Sequence, residues 1–186
     1  MNLSALSLAL LLTAHTPVGL IHDAPGPVAE HLSKAQTADD RLIGRYTLDP
    51  EASDDPAEAV ETMVQSVGRL MRGRARSRLN ERLQPAESME IQADGEAYLI
   101  GVPGDDPFRV VPGGEPVERT SPDGEEVQIS TVLEGESLVM TIQMSQGTRT
   151  QTLTPEGDGL RVTLVYDLEI HAEPVTVVLV YRRDGS

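Results

Sequence analysis

The chain has 186 residues, enough for one domain with a sizeable core, and a formal net charge of −15 at pH 7. That acidity excludes ordinary nucleic-acid binding, which needs Lys and Arg to neutralise phosphates, and it opposes docking on an anionic membrane surface. Cysteine is absent, which excludes disulfides, thiolate metal sites, cysteine nucleophiles and a lipoprotein anchor, while 13 prolines and 16 glycines suit a turn-rich β protein.

In chain order, Leu3 to Leu12 is mostly leucine and alanine, long enough for the core of a signal peptide and too short to span a bilayer. The expectation is a signal peptide over residues 1–22 and export to the periplasm or outside the cell, with no membrane span once it is removed. No basic residue precedes the stretch and no clean small-x-small cleavage site follows it, so a buried N-terminal helix is the alternative. Residues 23–40, with Pro25, Gly26 and Pro27, read as a linker that could frame a short helix around Ala29 to Gln36, and 41–186 as the folded domain.

The first strand covers Arg41 to Leu48, with Leu42, Gly44, Tyr46 and Leu48 on alternate positions and Pro50 ending it. An amphipathic helix follows. Asp55 suits the cap, Pro56 the first helical position and Glu58 the third position of a capping box. Val60, Met63, Val64, Val67, Leu70 and Met71 recur at helical spacing, Gly68 and Gly73 are candidate breaks, and Ala75, Leu79 and Leu83 continue the period as a second helix or an extension that ends before Pro85.

The same segment carries Arg69, Arg72, Arg74, Arg76, Arg78 and Arg82 against Glu81, the one basic patch of an acidic chain. These arginines solvate the outer face of a helix or pair with carboxylates on the rim; alternatively they attract an anionic ligand or a protein partner with an acidic surface.

From Glu87 onward the period changes to two. Met89 and Ile91 face Ala97 and Leu99 across Asp94-Gly95, and Phe108 to Val111 form a short strand between Pro107 and Pro112, with Gly113 to Pro116 as a turn. Val127 to Leu133, Leu138 to Met144, the polar run from Arg149 through Gln151 to Leu153, Val162 to Ile170, and Val175 to Arg183 complete the set. Asp123-Gly124, Glu134-Gly135, Gln146-Gly147 and Asp158-Gly159 mark hairpin turns between them. About eight to nine strands on this pattern match a closed or nearly closed antiparallel up-and-down β-barrel, because closure removes exposed edges and this size holds one small ligand.

Catalytic signatures are weak. Asp167, Glu169 and His171 alternate along one strand in a pattern open to metal binding, yet they lie opposite the Val162 to Ile170 stripe, as a solvated face would. Asp54-Asp55 and Asp105-Asp106 lack the glycine-turned loop of a calcium site, and no Gly-x-Ser-x-Gly is present. The expectation is a protein that is not an enzyme, with no catalytic residue, metal or cofactor.

Gly44-Arg45-Tyr46 on the first strand is similar to the Gly-x-Trp of lipocalins. The run Thr150 to Thr154, the turn after it, Leu160 to Thr163 and the ending Tyr181-Arg182-Arg183 resemble the closing strands of fatty-acid-binding proteins. The chain from Gly44 to Arg183 thus resembles the calycin group, most closely exported lipocalin-like proteins of bacteria. That resemblance implies a barrel that binds a hydrophobic molecule. Members of the group that clamp a fatty-acid carboxylate use an arginine in the penultimate hairpin and an Arg-x-Tyr in the last strand. The matching positions here are Gln151 and Leu179-x-Tyr181, so the resemblance implies a neutral ligand, since a buried carboxylate would lack its charge partner.

The function expected is therefore an exported protein holding a neutral hydrophobic ligand, with pocket candidates Met140, Ile142, Met144, Leu164, Tyr166, Leu168 and Tyr181. The alternative is an interaction or inhibitor module whose barrel is solidly packed; a continuous apolar void of roughly 300 Å³ separates the two.

Overall fold

The computed structural model describes residues 40–121, 124–169 and 171–185. The expected signal peptide, all of the linker except Asp40, and Asp123 and Ile170 lie outside them.

A 3-10 turn, Asp40–Leu42, leads into ten strands: β1 (Gly44–Leu48), β2 (Ser88–Asp94), β3 (Ala97–Gly101), β4 (Phe108–Val110), β5 (Val117–Thr120), β6 (Glu126–Glu134), β7 (Ser137–Met144), β8 (Gly147–Glu156), β9 (Gly159–Leu168) and β10 (Val175–Arg183). Helices α1 (Pro56–Gln65) and α2 (Arg72–Arg82) fill the connection from β1 to β2. All strands belong to one antiparallel sheet in the order β4-β3-β2-β1-β10-β9-β8-β7-β6-β5, so the first and last strands pair and the sheet curls round. The edges β4 and β5 share no backbone ladder. Across this seam the Arg119 guanidinium stacks 4.6 Å from the centre of the Phe108 ring and donates to the Asp106 carbonyl at 3.3 Å.

Ten strands exceed the expected eight to nine. The missed one is β5, where Val117 and Arg119 point one way and Glu118 and Thr120 the other. Only one of its four residues is apolar, so its alternation is invisible in hydropathy. The helical stretch resolves into two helices rather than one extended helix. Val60, Met63 and Val64 are buried as predicted, each contributing about 1.5–3 kcal/mol. The chain leaves the helix at Ser66, however, and resumes only at Arg72, so the helical phase is lost and Leu70 ends up 98% exposed. Gly68 sits in that break, while Gly73 lies inside α2. The cap is as expected: Asp55 accepts from the Ala57 N–H at 2.9 Å.

Among the described residues the hairpin turns fall within one residue of the predicted places, with two differences. The β7–β8 turn is Ser145-Gln146, with Gly147 already in β8. At the β8–β9 turn the left-handed residue is Gly157, with φ 56°, rather than Gly159. Gly147 opens β8 at φ +137°, where a methyl group would overlap the Asp167 carbonyl of β9. Only glycine lets the two strands approach so closely there.

One end of the barrel is packed shut. Leu42, Tyr46, Leu138, Leu153, Leu160 and Tyr181 are at most 2% exposed. The Tyr46 hydroxyl donates to the Leu42 carbonyl at 3.0 Å, and Arg183 lies over the Tyr46 ring and donates to its oxygen at 3.0 Å. Where β1 stops, the segment from Asp49 to Asp54 takes over its pairing with β10: the Asp49 and Asp54 N–H groups donate to Val180 and Val178, whose own N–H groups donate to Ser53 Oγ and Asp54 Oδ2. The backbone is thus satisfied without a full-length strand. Helix α1 packs against β10.

Candidate functional site in the helix-covered half of the barrel

Strand alternation and register decide which side chains line the interior. Leu153 is fully buried and sets the phase of β8, so Gln151 and Arg149 share its face. Across the ladders Gln151 stands beside Met140 and Leu164, and Arg149 beside Ile142 and Tyr166. Gly147 follows, beside Met144 and Leu168. Thr131 and Ile129 extend these rows onto β6, and Val177 and Val175 onto β10.

The rows differ in how tightly they pack. Leu153, Leu160 and Val162 have essentially no exposed surface. Leu164, Leu168, Met144, Gln151 and Arg149, although directed inward, are only half-buried. These looser rows lie toward the helices: α1 is joined to the β9–β10 connection through His171, whose Nε2 lies 3.3 Å from the Thr62 carbonyl, and α2 to the β5–β6 turn through an Arg82–Glu125 pair at 3.3 Å.

Six of the seven residues predicted as pocket candidates, Met140, Ile142, Met144, Leu164, Tyr166 and Leu168, thus form one wall on β7 and β9. Tyr181 also faces inward but belongs to the packed end, where its hydroxyl donates to the Ala86 carbonyl at 3.0 Å and burial pushes its pKa up to about 12.

Arg149 is the residue the sequence reading passed over. Its Nε is buried and has no hydrogen-bond partner. Burial raises the pKa of the neighbouring Tyr166 phenol, while the Arg149 guanidinium, through its charge and a hydrogen bond to that oxygen, pulls it back. A cation set in an apolar wall with a donor to spare is suited to an oxygen-rich acceptor, since leaving such a donor unmet is costly. The expectation of a neutral ligand assumed that no arginine stood here. The placement of Arg149, two positions from Gln151, removes that reason. Leu153 was the available signal, because period two from that buried leucine turns both polar residues inward.

The alternating Asp167, Glu169 and His171 do not converge. Asp167 is exposed, β9 ends at Leu168, and the His171 ring turns to backbone carbonyls, with Nδ1 2.6 Å from that of Glu173. No group of three His, Asp or Glu side chains placed to hold a metal occurs among the described residues. Two clefts lie away from the interior rows. One of about 410 Å³ opens between Asp49, the β8–β9 turn and the end of β10. The other, about 360 Å³, is lined by Val67, Met71, Arg74, Ala75 and Arg78.

No family model matches the chain, and no curated protein sequence does. Solved structures do match. A REP1-NXSQ fatty acid transporter aligns at TM-score 0.55 and 16% identity, over 80% of this chain and 99% of that one. The fold is that of the fatty-acid-binding proteins. Echinococcus granulosus fatty-acid-binding protein 1 aligns at TM-score 0.53 and 14% identity, covering 79% of this chain and all of its own. The Schistosoma mansoni fatty acid binding protein in complex with arachidonic acid gives 0.54 and 17%, over 78% and 98% of the two chains.

Proposed function

We propose that this chain is an exported carrier of a small hydrophobic ligand, held in the helix-covered half of the barrel with a polar or acidic head against Arg149 and Tyr166. The observation that carries the reading is Arg149: it faces inward between Ile142 and Tyr166, and its Nε has no partner. A purely structural core gains nothing from such a group, because apolar residues of similar volume pack there at no desolvation cost. The half-buried Leu164, Leu168 and Met144 supply the apolar wall for the rest of the molecule, and methionine adapts to ligand shape. The fatty acid transporter and the arachidonic acid complex among the fold's relatives support a ligand of this kind.

Titration with cis-parinaric acid, a fluorescent apolar carboxylate, tests the reading. Native protein binds it, and Arg149→Met weakens binding about 10-fold or more, since a hydrogen bond to a charged group contributes about 1.5–3 kcal/mol. The variant unfolds at the same or higher denaturant concentration. Equal binding by both proteins removes Arg149 from the site. Absence of binding, together with no retained molecule in native mass spectra of protein from its own source, leaves the packed interaction module. Export is checked separately, by N-terminal sequencing of the mature protein; an intact Met1 on cytoplasmic material removes it.

A further inference from the structure

The arginine segment divides into two sets. Arg76 pairs with Glu61 at 2.5 Å and Arg82 with Glu125 at 3.3 Å, while Arg72 turns back onto the carbonyls of Val67 and Gln65 near the end of α1. Arg69, Arg74 and Arg78 make no hydrogen bond or ion pair among the described residues. Arg74 and Arg78 lie four residues apart and border the cleft of about 360 Å³, whose remaining lining is Val67, Met71 and Ala75, also four apart. Met71 is 55% exposed, and Leu70 beside it is 98% exposed. An apolar stripe at helical spacing therefore runs beside a row of unpaired cations, on a helix with no buried residue of its own.

We propose that this face of α2 and the turn before it docks an acidic amphipathic helix from a partner protein. Apolar side chains of the partner spaced three and four apart enter the Val67–Met71–Ala75 groove, and Asp or Glu flanking them meet Arg74 and Arg78. Charge complementarity selects an acidic occupant, and concavity selects a protein one. A bilayer would engage the projecting Leu70 but would not fill a groove, and the chain's net charge of −15 opposes an anionic surface over distances beyond the patch. This partner site is separate from the barrel interior, so the proposal stands or falls independently of the ligand.

Selection of a displayed library of helix-patterned peptides on the full-length protein tests it, followed by fluorescence anisotropy with the enriched sequences. Enriched peptides carry apolar residues three and four apart flanked by Asp or Glu, and their affinity falls as salt rises. The variant R74E/R78E binds them at least about tenfold more weakly and melts like the native protein, because neither side chain is buried. The charge-matched control R45E/R109E, on the barrel wall, binds as the native protein does. Enrichment of no such pattern, or equal binding by R74E/R78E, overturns the proposal. So does arginine-dependent binding to phosphatidylcholine/phosphatidylglycerol vesicles in place of peptides, which would assign the face to lipid. Self-association of the native protein that R74E/R78E abolishes would assign it to a second copy.

Discussion

The two halves of the barrel share a sheet and differ in filling. At the end closed by the 3-10 turn, Leu42, Tyr46, Leu138, Leu153 and Leu160 have lost essentially all exposure, and the buried Tyr46 and Tyr181 hydroxyls each have a backbone partner. At the end covered by α1 and α2, inward-facing Leu164, Leu168 and Met144 remain half-buried beside an arginine with an unmet donor. The strands are the same ones, β7 to β9, running through both halves. What separates the halves is the choice of inward residue at each level, which leaves stability to one end and adaptability to the other.

The largest expected effect breaks that contrast at the packed end. Leu153→Ala leaves a cavity that its neighbours cannot fill, and costs about 3 kcal/mol in urea unfolding. Leu164→Ala, two rungs toward the helices, removes a side chain that is already partly exposed and costs about 1 kcal/mol. Equal losses would show that both halves are filled alike, and the carrier reading would fail with the contrast.

A smaller effect comes from pH. The Tyr181 phenol, pushed up to about 12 from its ordinary 10 by burial, favours the neutral form in the folded state. Its contribution is fully present below pH 10 and is lost as pH rises toward 12, an effect on the order of 2 kcal/mol. Tyr181→Phe flattens the alkaline side of the stability profile. At neutral pH it costs about 1 kcal/mol, because the Ala86 carbonyl loses its donor. Some alkaline slope remains in the variant, since burial also raises Tyr46 and Tyr166. An unchanged slope would place the alkaline sensitivity elsewhere.

The smallest effect lies in the cover. Asp55→Ala removes the cap of α1 and costs about 1 kcal/mol locally, seen as faster amide exchange in α1 with β8 and β9 unchanged. Acceleration throughout the barrel would mean that helix and sheet unfold as one unit.

Much of this was legible in the residues. Period-two runs between Asp-Gly and Glu-Gly turns identified nine of the ten strands, and Asp55-Pro56 marked the start of α1 to the residue. β5 escaped because Arg119 occupies its inner face, and a hydropathy pattern does not register a charged side chain as inward. The helix break was legible at Gly68, but its effect on the stripe was not, because Val67, Leu70 and Met71 keep a spacing that the backbone no longer supports. Six of the seven pocket candidates share one wall, since alternation alone assigns their face; Arg149 was present in the same pattern but was grouped with a polar strand.

The sequence by itself determined the class of fold and the direction of most strand residues, because both follow from local periodicity and turn chemistry; β3 was read one residue out of phase, since Ile100 and not Leu99 stands opposite Ile91. Only the tertiary structure decided which rows pack solid and which stay open, where the seam falls between β4 and β5, and that a charged arginine lies inside. Those depend on which side chains meet across the sheet, and sequence spacing carries no information about that until the register is known.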